Sequence, residues 1–301
     1  MSDVLLGTTR KVSAQAQPAG CLVIGGSGLV GGYIVDRLVK SGARPLALSR
    51  APRKGHLVDW HCGDLHHPDT LKFPPFATLY CTADAVLLAE ALPHLIHPEL
   101  KRVVVFSSTS VITKQDTEVA SERSMIRRLA AAEQQITAIC EQRGVGWTIL
   151  RPTLIYAEGR DTNITPLSQL IRKFGFMPLV GGGPGLRQPV HAEDLAIGAI
   201  AAARSDAAVN KFYSLPGPEI LTYREMIGRV FDGLGLPRRF VPVPPWLWRL
   251  MFAAAKPLYP TANVAMGIRM MKDMTFDAAP AMKDIGWSPR GFNPVFDKAG
   301  K

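Results

Sequence analysis

The stretch Cys21-Leu-Val-Ile-Gly-Gly-Ser-Gly-Leu-Val-Gly31 decides how this chain folds. Its first four residues are a short apolar run typical of a buried strand. Apolar residues then recur at helical spacing over residues 33–39, until Ser41-Gly42 ends the helix. Between these two elements the residues satisfy the pattern G-x-G-x-x-G. The sequence therefore predicts a strand, a tight glycine turn and a helix in immediate succession.

The glycine turn is the expected binding site of a dinucleotide. Glycines permit the tight turn, let backbone amides approach a pyrophosphate and let the helix pack close to the strand, so that the helix N-terminus faces the anion. The predicted cofactor contacts in this turn are Gly25, Gly26, Ser27, Gly28, Leu29, Val30 and Gly31.

Strands and helices continue to alternate along the first half of the chain. Further strands are predicted at 45–49, 77–80, 102–106 and 147–150, and a long helix at 124–141. Alternating strands and helices form a parallel sheet with right-handed crossovers. The fold predicted is α/β, with a Rossmann-like, doubly wound parallel sheet.

The second half of the chain has a different character. From Thr153 onward it is richer in Pro and Gly, with shorter helices predicted at 192–203 and 223–234. The predicted organisation is a flexible N-terminal tail at 1–19, an NAD(P)-binding Rossmann domain at 20–152 and a smaller substrate-binding lobe at 153–301.

The composition is that of an ordinary globular protein with a basic surface. Hydrophobic residues make up 47% and charged residues 20% of the 301 residues, which argues against a disordered or fibrous chain. The 35 Lys and Arg exceed the 25 Asp and Glu by ten, which favours an anionic small-molecule substrate or an acidic lipid as partner. No basic stripe is interleaved with aromatic residues, so no nucleic-acid partner is expected.

The cysteines indicate a reducing compartment. The four cysteines lie far apart without Cys–His ligand spacing, so we expect reduced thiols, no metal site and a cytoplasmic location. The first 19 residues lack the apolar core of a secretory signal, and no stretch approaches the ~18 apolar residues of a membrane-spanning helix.

Residues 246–252 form the most apolar segment of the second half, between prolines and with Arg249 among them. Two interpretations stay open for this segment: a helix packed on the protein's own core, or a peripheral contact with a membrane interface. The oligomeric state also stays open, with a homodimer among the assemblies that the sequence allows.

The residue that ends the second strand selects between the two nicotinamide cofactors. An acid at this position binds a ribose 2′-hydroxyl, whereas an arginine accommodates a 2′-phosphate. This chain has Arg50 there, with Arg53 three residues later and no acid before Asp59. The sequence therefore predicts NADP(H) as the cofactor, in preference to NAD(H).

Several further segments carry a family resemblance. They are Gly63-Asp64-Leu65, Phe106-Ser-Ser-Thr-Ser110, Thr148 to Tyr156 with its Thr-Ile-Leu-Arg-Pro run, and Arg187-Gln-Pro-Val-His191-Ala-Glu-Asp194-Leu-Ala196. With the glycine turn, they resemble the extended and atypical short-chain dehydrogenase/reductase family, particularly its NAD(P)-dependent epimerase/dehydratase branch, which acts on nucleotide sugars. The resemblance covers about residues 20–295.

The resemblance also implies roles for particular residues. It implies that Asp64 and Leu65 contact the adenine, and that Ser107 lies beside the cofactor. Thr109 matches the family's active-site hydroxyl. A substrate phosphate would be bound by Arg187, with Asn163 and His191 as further substrate contacts.

The family's catalytic pair, a tyrosine followed four residues later by a lysine, is missing. The six tyrosines are followed at that place by Arg, Asp, Arg, Gly, Ile and Asn. Because the lysine lowers the pKa of the tyrosine for proton transfer, the usual mechanism needs a substitute here. The proposed replacements are Lys114 and Tyr156, with Arg127, Arg128 and His191 as other candidates. Glu122 and Glu133 are expected to pair with neighbouring arginines and not to form a carboxylate pair.

Two functions therefore remain open from the sequence. The first is an NADP(H)-dependent epimerase/dehydratase-like oxidoreductase that acts on a nucleotide-linked or lipid-linked sugar with a non-standard acid/base set. The second is a redox-silent, nucleotide-binding accessory or regulatory subunit, similar to the accessory subunit of respiratory complex I that shares this fold.

Overall fold

The computed structural model describes residues 20–113, 120–255, 267 and 269–296. Its central sheet has seven strands: β1 (Cys21–Ile24), β2 (Leu46–Ser49), β3 (Asp59–Cys62), β4 (Thr78–Cys81), β5 (Arg102–Phe106), β6 (Gly146–Pro152) and β11 (Lys211–Leu215). They lie in the order β11-β6-β5-β4-β1-β2-β3, and every pair is parallel. The predicted α/β fold with a Rossmann-like parallel sheet is thus confirmed.

Short two-stranded ladders form the rest of the β structure. They pair β7 (Ile155–Tyr156) with β10 (Val190–His191), β9 (Leu186–Arg187) with β12 (Leu221–Thr222), and β8 (Met177–Val180) with β13 (Phe240–Val243).

The helices are α1 (Leu29–Lys40), α2 (Ala85–Leu95), α3 (Ser110–Thr113), α4 (Ala120–Gln142), α5 (Ile164–Phe174), α6 (Ala192–Arg204), α7 (Tyr223–Gly233), α8 (Pro245–Ala255) and α9 (Ala279–Ile285). None of the helices in the described ranges is both long and apolar enough to cross a membrane.

The sheet separates two hydrophobic cores. Along β1, Leu22 and Ile24 pack on one side with α2 and α4, whereas Val23 packs on the other side with α1, α6 and α9. This alternation follows from the two-residue period of a strand, and it places apolar side chains on both faces of a sheet that helices cover. A third core lies within the smaller lobe and joins α5, α7, β8 and β13.

The central sheet extends past the predicted boundary at residue 152. The sheet continues into the second half of the chain, because β11 pairs with β6 from Lys211↔Thr148 to Leu215↔Pro152. Helix α6 also contributes to the core on the α1 side of the sheet. Without β11 the long strand β6 would form an open sheet edge. The core of the smaller lobe is built mainly from α5, α7, β8 and β13.

Strand β3 and the helices α2 and α3 were not predicted. Strand β3 is short and only partly buried, so its sequence Asp-Trp-His-Cys lacks a clear apolar pattern. Helix α2 begins at Asp84, whose carboxylate accepts a hydrogen bond from the Val86 N–H at 2.9 Å. This N-cap is a signal that the sequence contains and that could have predicted the helix.

The four cysteines are free thiols. Burial raises the pKa of the Cys81 and Cys140 thiols to about 12, which leaves both groups protonated at neutral pH. Among the residues that the structure describes, no group of three or more His, Cys, Asp or Glu could hold a metal ion.

Candidate functional site

The glycine turn connects β1 to α1 with very little free space. Gly25 has a φ of +77°, which favours glycine, and a Cβ on Gly31 would lie 2.1 Å from the Gly25 carbonyl oxygen. Gly28 is different, because a Cβ there would meet only the Gly25 oxygen, at 3.1 Å, and otherwise point into open space. Gly28 is also the N-cap of α1, whose first turn contains no acidic residue. The turn therefore leaves room for an anion at the positive end of a helix.

Beside this turn lies the Arg50 pocket, a cavity of about 350 Å³. It lies where β1, β2 and β4 end, and its lining includes Gly25, Ser27, Gly28, Ser49, Arg50, Asp64, Leu65, His66 and Thr82. The predicted contacts from three separate segments are thus brought together here. Hydrogen bonds from the backbone and the side chain of His66 hold the pKa of the Asp64 carboxyl below its ordinary value.

Arg53 does not share this pocket. It lines a neighbouring cavity with Arg44, Lys54 and His56, and its guanidinium carbon lies 5.4 Å from the centre of the Trp60 ring. Of the two predicted 2′-phosphate contacts, only Arg50 faces the glycine turn.

A second cavity, the Leu129 pocket, has a volume of about 410 Å³. It is lined by Leu29, Val30, Thr82, Ala83, Asp84, Ala85, Phe106, Ser107, Leu129, Pro152, Ile155, Asp161, Thr162 and Asn163. It shares Thr82, Ala83 and Asp84 with the Arg50 pocket. The two cavities are therefore halves of one groove along the carboxyl ends of the strands, where ligands bind in open α/β sheets.

A third cavity of about 380 Å³, the Arg187 pocket, continues the groove. It shares Ser107, Pro152, Ile155 and Asn163 with the Leu129 pocket. Six of its lining residues carry hydroxyl groups: Ser107, Ser108, Thr109, Ser110, Thr113 and Thr153. The lining also includes two arginines, Arg187 and Arg269, and its described residues include no carboxylate, which suits an anionic, hydroxyl-rich ligand.

The Arg187 side chain is buried and fully engaged with backbone oxygens. Its Nη1 donates to the Leu186 and Lys272 carbonyls at 2.7 and 2.6 Å, and its Nη2 donates to the Arg269 carbonyl. Within the described residues no carboxylate forms an ion pair with it, and burial lowers the pKa of its guanidinium. An anion in the pocket would supply the missing countercharge.

Ser107 and Thr109 differ in what their hydroxyls do. The Thr109 Oγ1 donates to the Pro152 carbonyl at 3.0 Å. The Ser107 Oγ, at the junction of the two cavities, is buried without a hydrogen-bond partner among the described residues. A buried polar group is normally paired, so this unpaired hydroxyl indicates a ligand contact. The resemblance alone pointed to Thr109 for the reacting hydroxyl, whereas Ser107 is the one left free by the fold.

Tyr156 and His191 lie outside the three cavities. Tyr156 is 1% exposed and packs edge-to-face on His191 and Phe292, and its phenol is 3.4 Å from the Gly291 carbonyl. Burial raises the pKa of this phenol far above its ordinary value. The structure thus places Tyr156 in the core, apart from the lining of the three cavities, and its role as a catalytic acid or base stays a prediction.

His191 is the N-cap of α6. Its Nδ1 accepts from the Glu193 N–H at 3.2 Å, and its Nε2 lies 3.5 Å from a Glu158 carboxylate oxygen. Both ring nitrogens are engaged inside the protein, and the predicted substrate contact at His191 stays a prediction.

The remaining candidates are distributed as follows. Asn163 lines both the Leu129 and the Arg187 pockets, while its Nδ2 donates to the Ile155 carbonyl at 2.8 Å. Lys114 lies outside the described residues. Arg127 and Arg128 are exposed on α4 and are not part of the lining of the three cavities.

The two glutamates pair with arginines, as predicted, but with distant ones. Glu133 binds Arg151 of β6, and Glu122 binds Arg269.

Two residues of the site were missed by sequence reasoning. Thr82 follows β4, and its hydroxyl lies 3.2 and 3.1 Å from the carbonyl oxygens of Ile24 and Gly25, which ties the glycine turn to the next strand. Leu129 is the α4 side chain in the middle cavity. A threonine and a leucine carry no sequence signal for such roles, so only the packing of α4 against the sheet reveals them.

The residues present fit a nicotinamide dinucleotide. The glycine turn presents an open helix N-terminus, Arg50 and Asp64 line one end of the groove, and the Ser107 hydroxyl at the other end lacks a partner. When bound, this cofactor supplies hydride transfer at its nicotinamide.

Comparison with known proteins agrees with this geometry. The sequence model of the NAD dependent epimerase/dehydratase family matches residues 79–215. The chain is 29% identical over 253 residues to the mitochondrial NADH dehydrogenase (ubiquinone) 1 alpha subcomplex subunit 9 of Arabidopsis thaliana, covering 74% of this chain and 60% of that protein. It is 22% identical over 247 residues to the UDP-glucose 4-epimerase of Vibrio cholerae, covering 79% and 74% of the two chains.

A solved structure has the same fold. MoeE5 in complex with UDP-glucose and NAD superposes with a TM-score of 0.69 at 18% identity, covering 91% of this chain and 94% of that one. The family match over residues 79–215, which spans less than half of the 301 residues, makes the chain similar to the NAD dependent epimerase/dehydratase family, and the solved structure shows that the fold is shared.

Proposed function

We propose that the chain binds NADP(H) along the groove and retains it as a redox-silent nucleotide-binding subunit of a larger assembly. The adenosine half would lie in the Arg50 pocket and the nicotinamide half in the Leu129 pocket. Arg50 supports the assignment of the 2′-phosphate, since it directly follows β2, lines this pocket and has no ion pair within the described part of the chain.

The composition of the Leu129 pocket carries the redox-silent part of the proposal. Among the residues that the structure describes, the titratable ones in its lining are Asp84 and Asp161. Asp84 caps α2, and the Asp161 carboxylate accepts from the backbone N–H groups of residues 157 and 163–165 and from the Thr165 hydroxyl. Both are therefore committed to the fold. The α4 side chain in this pocket is an apolar leucine, which cannot exchange a proton.

The plant relative supports the accessory role. Its name describes a subunit of a mitochondrial NADH dehydrogenase, and this chain spans 60% of its length. A nucleotide held without turnover would stabilise the chain by linkage, because a ligand that binds only the folded state raises its stability.

A second candidate function is supported by the Arg187 pocket. In this candidate an NADP(H)-dependent epimerase/dehydratase acts on a nucleotide-linked or lipid-linked sugar. The hydroxyl-rich lining and the unpaired cation suit a sugar phosphate, and Ser107 could bind the oxygen at which hydride is exchanged. A proton donor would have to come from outside the described residues, for which Lys114 is the candidate.

One experiment separates the two functions. The purified protein is denatured and its released nucleotide is identified by mass spectrometry. The reloaded protein, with NADP⁺ or NADPH, is then offered a panel of nucleotide sugars and lipid-linked sugars. Both reduced-nicotinamide absorbance and product mass are followed, because an epimerase returns its hydride and leaves the absorbance unchanged.

We expect co-purified NADP(H) and no product from the panel. Turnover that is lost in Ser107→Ala or Lys114→Met would favour the enzyme. A protein that binds neither dinucleotide would contradict both functions.

A further inference from the structure

Helix α8 presents large apolar side chains to solvent. Trp246 is 67% exposed and Leu250 is 61% exposed, and the exposed Arg249 lies between them. Positions i, i+3 and i+4 share one side of a helix, so these three side chains form a single surface, which we name the α8 face. Trp248, in contrast, packs against the core of the smaller lobe.

Two contacts attach the helix to the smaller lobe. Strand β13, which precedes it, pairs with β8 from Phe240↔Met177 to Val243↔Val180, and the Trp248 side chain packs against the core of this lobe. Internal packing therefore uses one side of α8 and leaves the α8 face outward. An exposed tryptophan and leucine on an anchored helix mark an interaction surface more often than a packing defect.

Charge indicates which partner this surface fits. Residues 233–272 contain no Asp or Glu and six Lys or Arg, in a chain whose net charge is +10. Arg238 and Arg269 form ion pairs with acids from other segments, whereas for the exposed Arg239 and Arg249 the described residues contain no ion-pair partner. The apolar side chains are thus accompanied by free positive charge.

We propose that the α8 face docks the protein on the surface of an anionic lipid bilayer. Trp246 and Leu250 would enter the interfacial region, where tryptophan is favoured, while Arg249 and Arg239 would lie among the anionic headgroups. Three side chains are few for a specific protein interface, which buries ~800 Å² per partner, but they suffice for a reversible membrane contact. The side chains of Met251 and Phe252, also expected at this contact, lie outside the described part. This inference goes beyond the proposed function and does not depend on the nucleotide.

Vesicle flotation with the full chain tests the proposal. The vesicles are phosphatidylcholine alone or phosphatidylcholine with phosphatidylserine, at low and at high salt. The variants are Arg249→Glu and the double variant Trp246→Gln/Leu250→Gln. The matched controls are Arg143→Glu, an exposed arginine at the end of α4, and Met282→Gln, a methionine 59% exposed on α9.

We expect flotation with the phosphatidylserine vesicles that weakens as salt screens the charge. Arg249→Glu should lower partitioning about fivefold or more, and the double variant about tenfold or more. The controls should partition as the unmodified protein does, and every variant should keep its nucleotide affinity.

Two outcomes would overturn the proposal. One is flotation that is absent, or that is equal in the double variant and the unmodified protein. The other is a concentration-dependent dimer, seen by sedimentation, that Trp246→Gln/Leu250→Gln abolishes while neither protein binds vesicles. That result would make the α8 face an interface between two copies of the chain.

Discussion

Arg151 on β6 forms a bidentate ion pair with Glu133 on α4, with Nε 2.9 Å from Oε1 and Nη2 2.5 Å from Oε2. The Glu133 side chain is buried and the Arg151 side chain is largely so. The pair fixes α4 against the sheet directly beside the groove. Leu129, one turn before Glu133, and Pro152, next to Arg151, both line the middle cavity. The ion pair thus sets the width of the proposed nicotinamide site.

Glu133→Ala should therefore lower the free energy of unfolding by about 3 kcal/mol, because removing one partner leaves a buried charge unpaired. Urea denaturation measures the loss. The exposed neighbour Gln134 provides the control, since Gln134→Ala should change stability by less than about 0.5 kcal/mol. Equal stability of Glu133→Ala and the unmodified protein would show that the pair does not hold α4.

Gly28→Val should abolish dinucleotide binding and leave the protein folded. The new side chain would occupy the open space at the N-terminus of α1 that the pyrophosphate needs. Gly32→Ala is the control within the same helix, because its Cβ would meet nothing closer than the Gly26 oxygen at 3.8 Å. Calorimetric titration and circular dichroism give affinity and folding. Undiminished affinity in folded Gly28→Val would place the phosphate site elsewhere.

Arg50→Glu should reverse the preference of the protein from NADP(H) to NAD(H). A charge-assisted contact with the 2′-phosphate contributes ~1.5–3 kcal/mol, which is about tenfold or more in affinity. Arg53→Glu makes the same charge change in the neighbouring cavity and should have a much smaller effect. Competitive titration with both dinucleotides measures the ratio. A larger effect at Arg53 would transfer the 2′-phosphate contact to that residue.

Ser107→Ala should raise the stability of the nucleotide-free protein by about 1 kcal/mol and weaken dinucleotide binding, because it removes an unpaired buried hydroxyl that a ligand would use. Thr109→Val should instead lower the stability of the nucleotide-free protein. It removes one of the two hydrogen bonds that Thr109 donates to the Pro152 carbonyl, the other coming from its backbone N–H at 3.3 Å, so it should cost about 1 kcal/mol of stability and change affinity little. Thermal unfolding with and without NADPH tests both. If the two variants exchange these phenotypes, Thr109 is the ligand contact.

Glu193 should make part of the stability depend on pH. Hydrogen bonds from Arg290, and then from Arg37, hold the pKa of its carboxyl below the ordinary glutamate value of 4.5. The folded state therefore binds this proton less readily than the unfolded state, so the contribution is complete above pH 4.5 and is lost as the pH falls through the lowered pKa. Glu193→Gln should be less stable at pH 7 and approach the unmodified protein in acid.

Denaturation curves recorded between neutral and acid pH measure this convergence. Glu90→Gln, on the exposed side of α2, should instead give a curve parallel to that of the unmodified protein. A constant difference between Glu193→Gln and the unmodified protein at all pH values would contradict the assignment.

The amino-acid sequence by itself determined the strand, glycine turn and helix at residues 21–40, the long α4 and the parallel sheet. These depend on local patterns: the apolar period, the glycines and the helix end signals, all carried by neighbouring residues. Arg50 could be proposed as the 2′-phosphate contact for the same reason, since the proposal depends on its place directly after β2.

Tertiary structure alone decided which candidate side chains meet at the groove. It placed Arg53 in a different cavity from Arg50, and it placed Tyr156 and His191 in the core. It also paired the Thr109 hydroxyl with a carbonyl and left the Ser107 hydroxyl without a hydrogen-bond partner among the described residues. It also placed Leu129 in the groove and β11 in the sheet. Each of these outcomes depends on contacts between segments tens of residues apart, and a hydroxyl or an imidazole has the same sequence signature whether a carbonyl satisfies it or a ligand does.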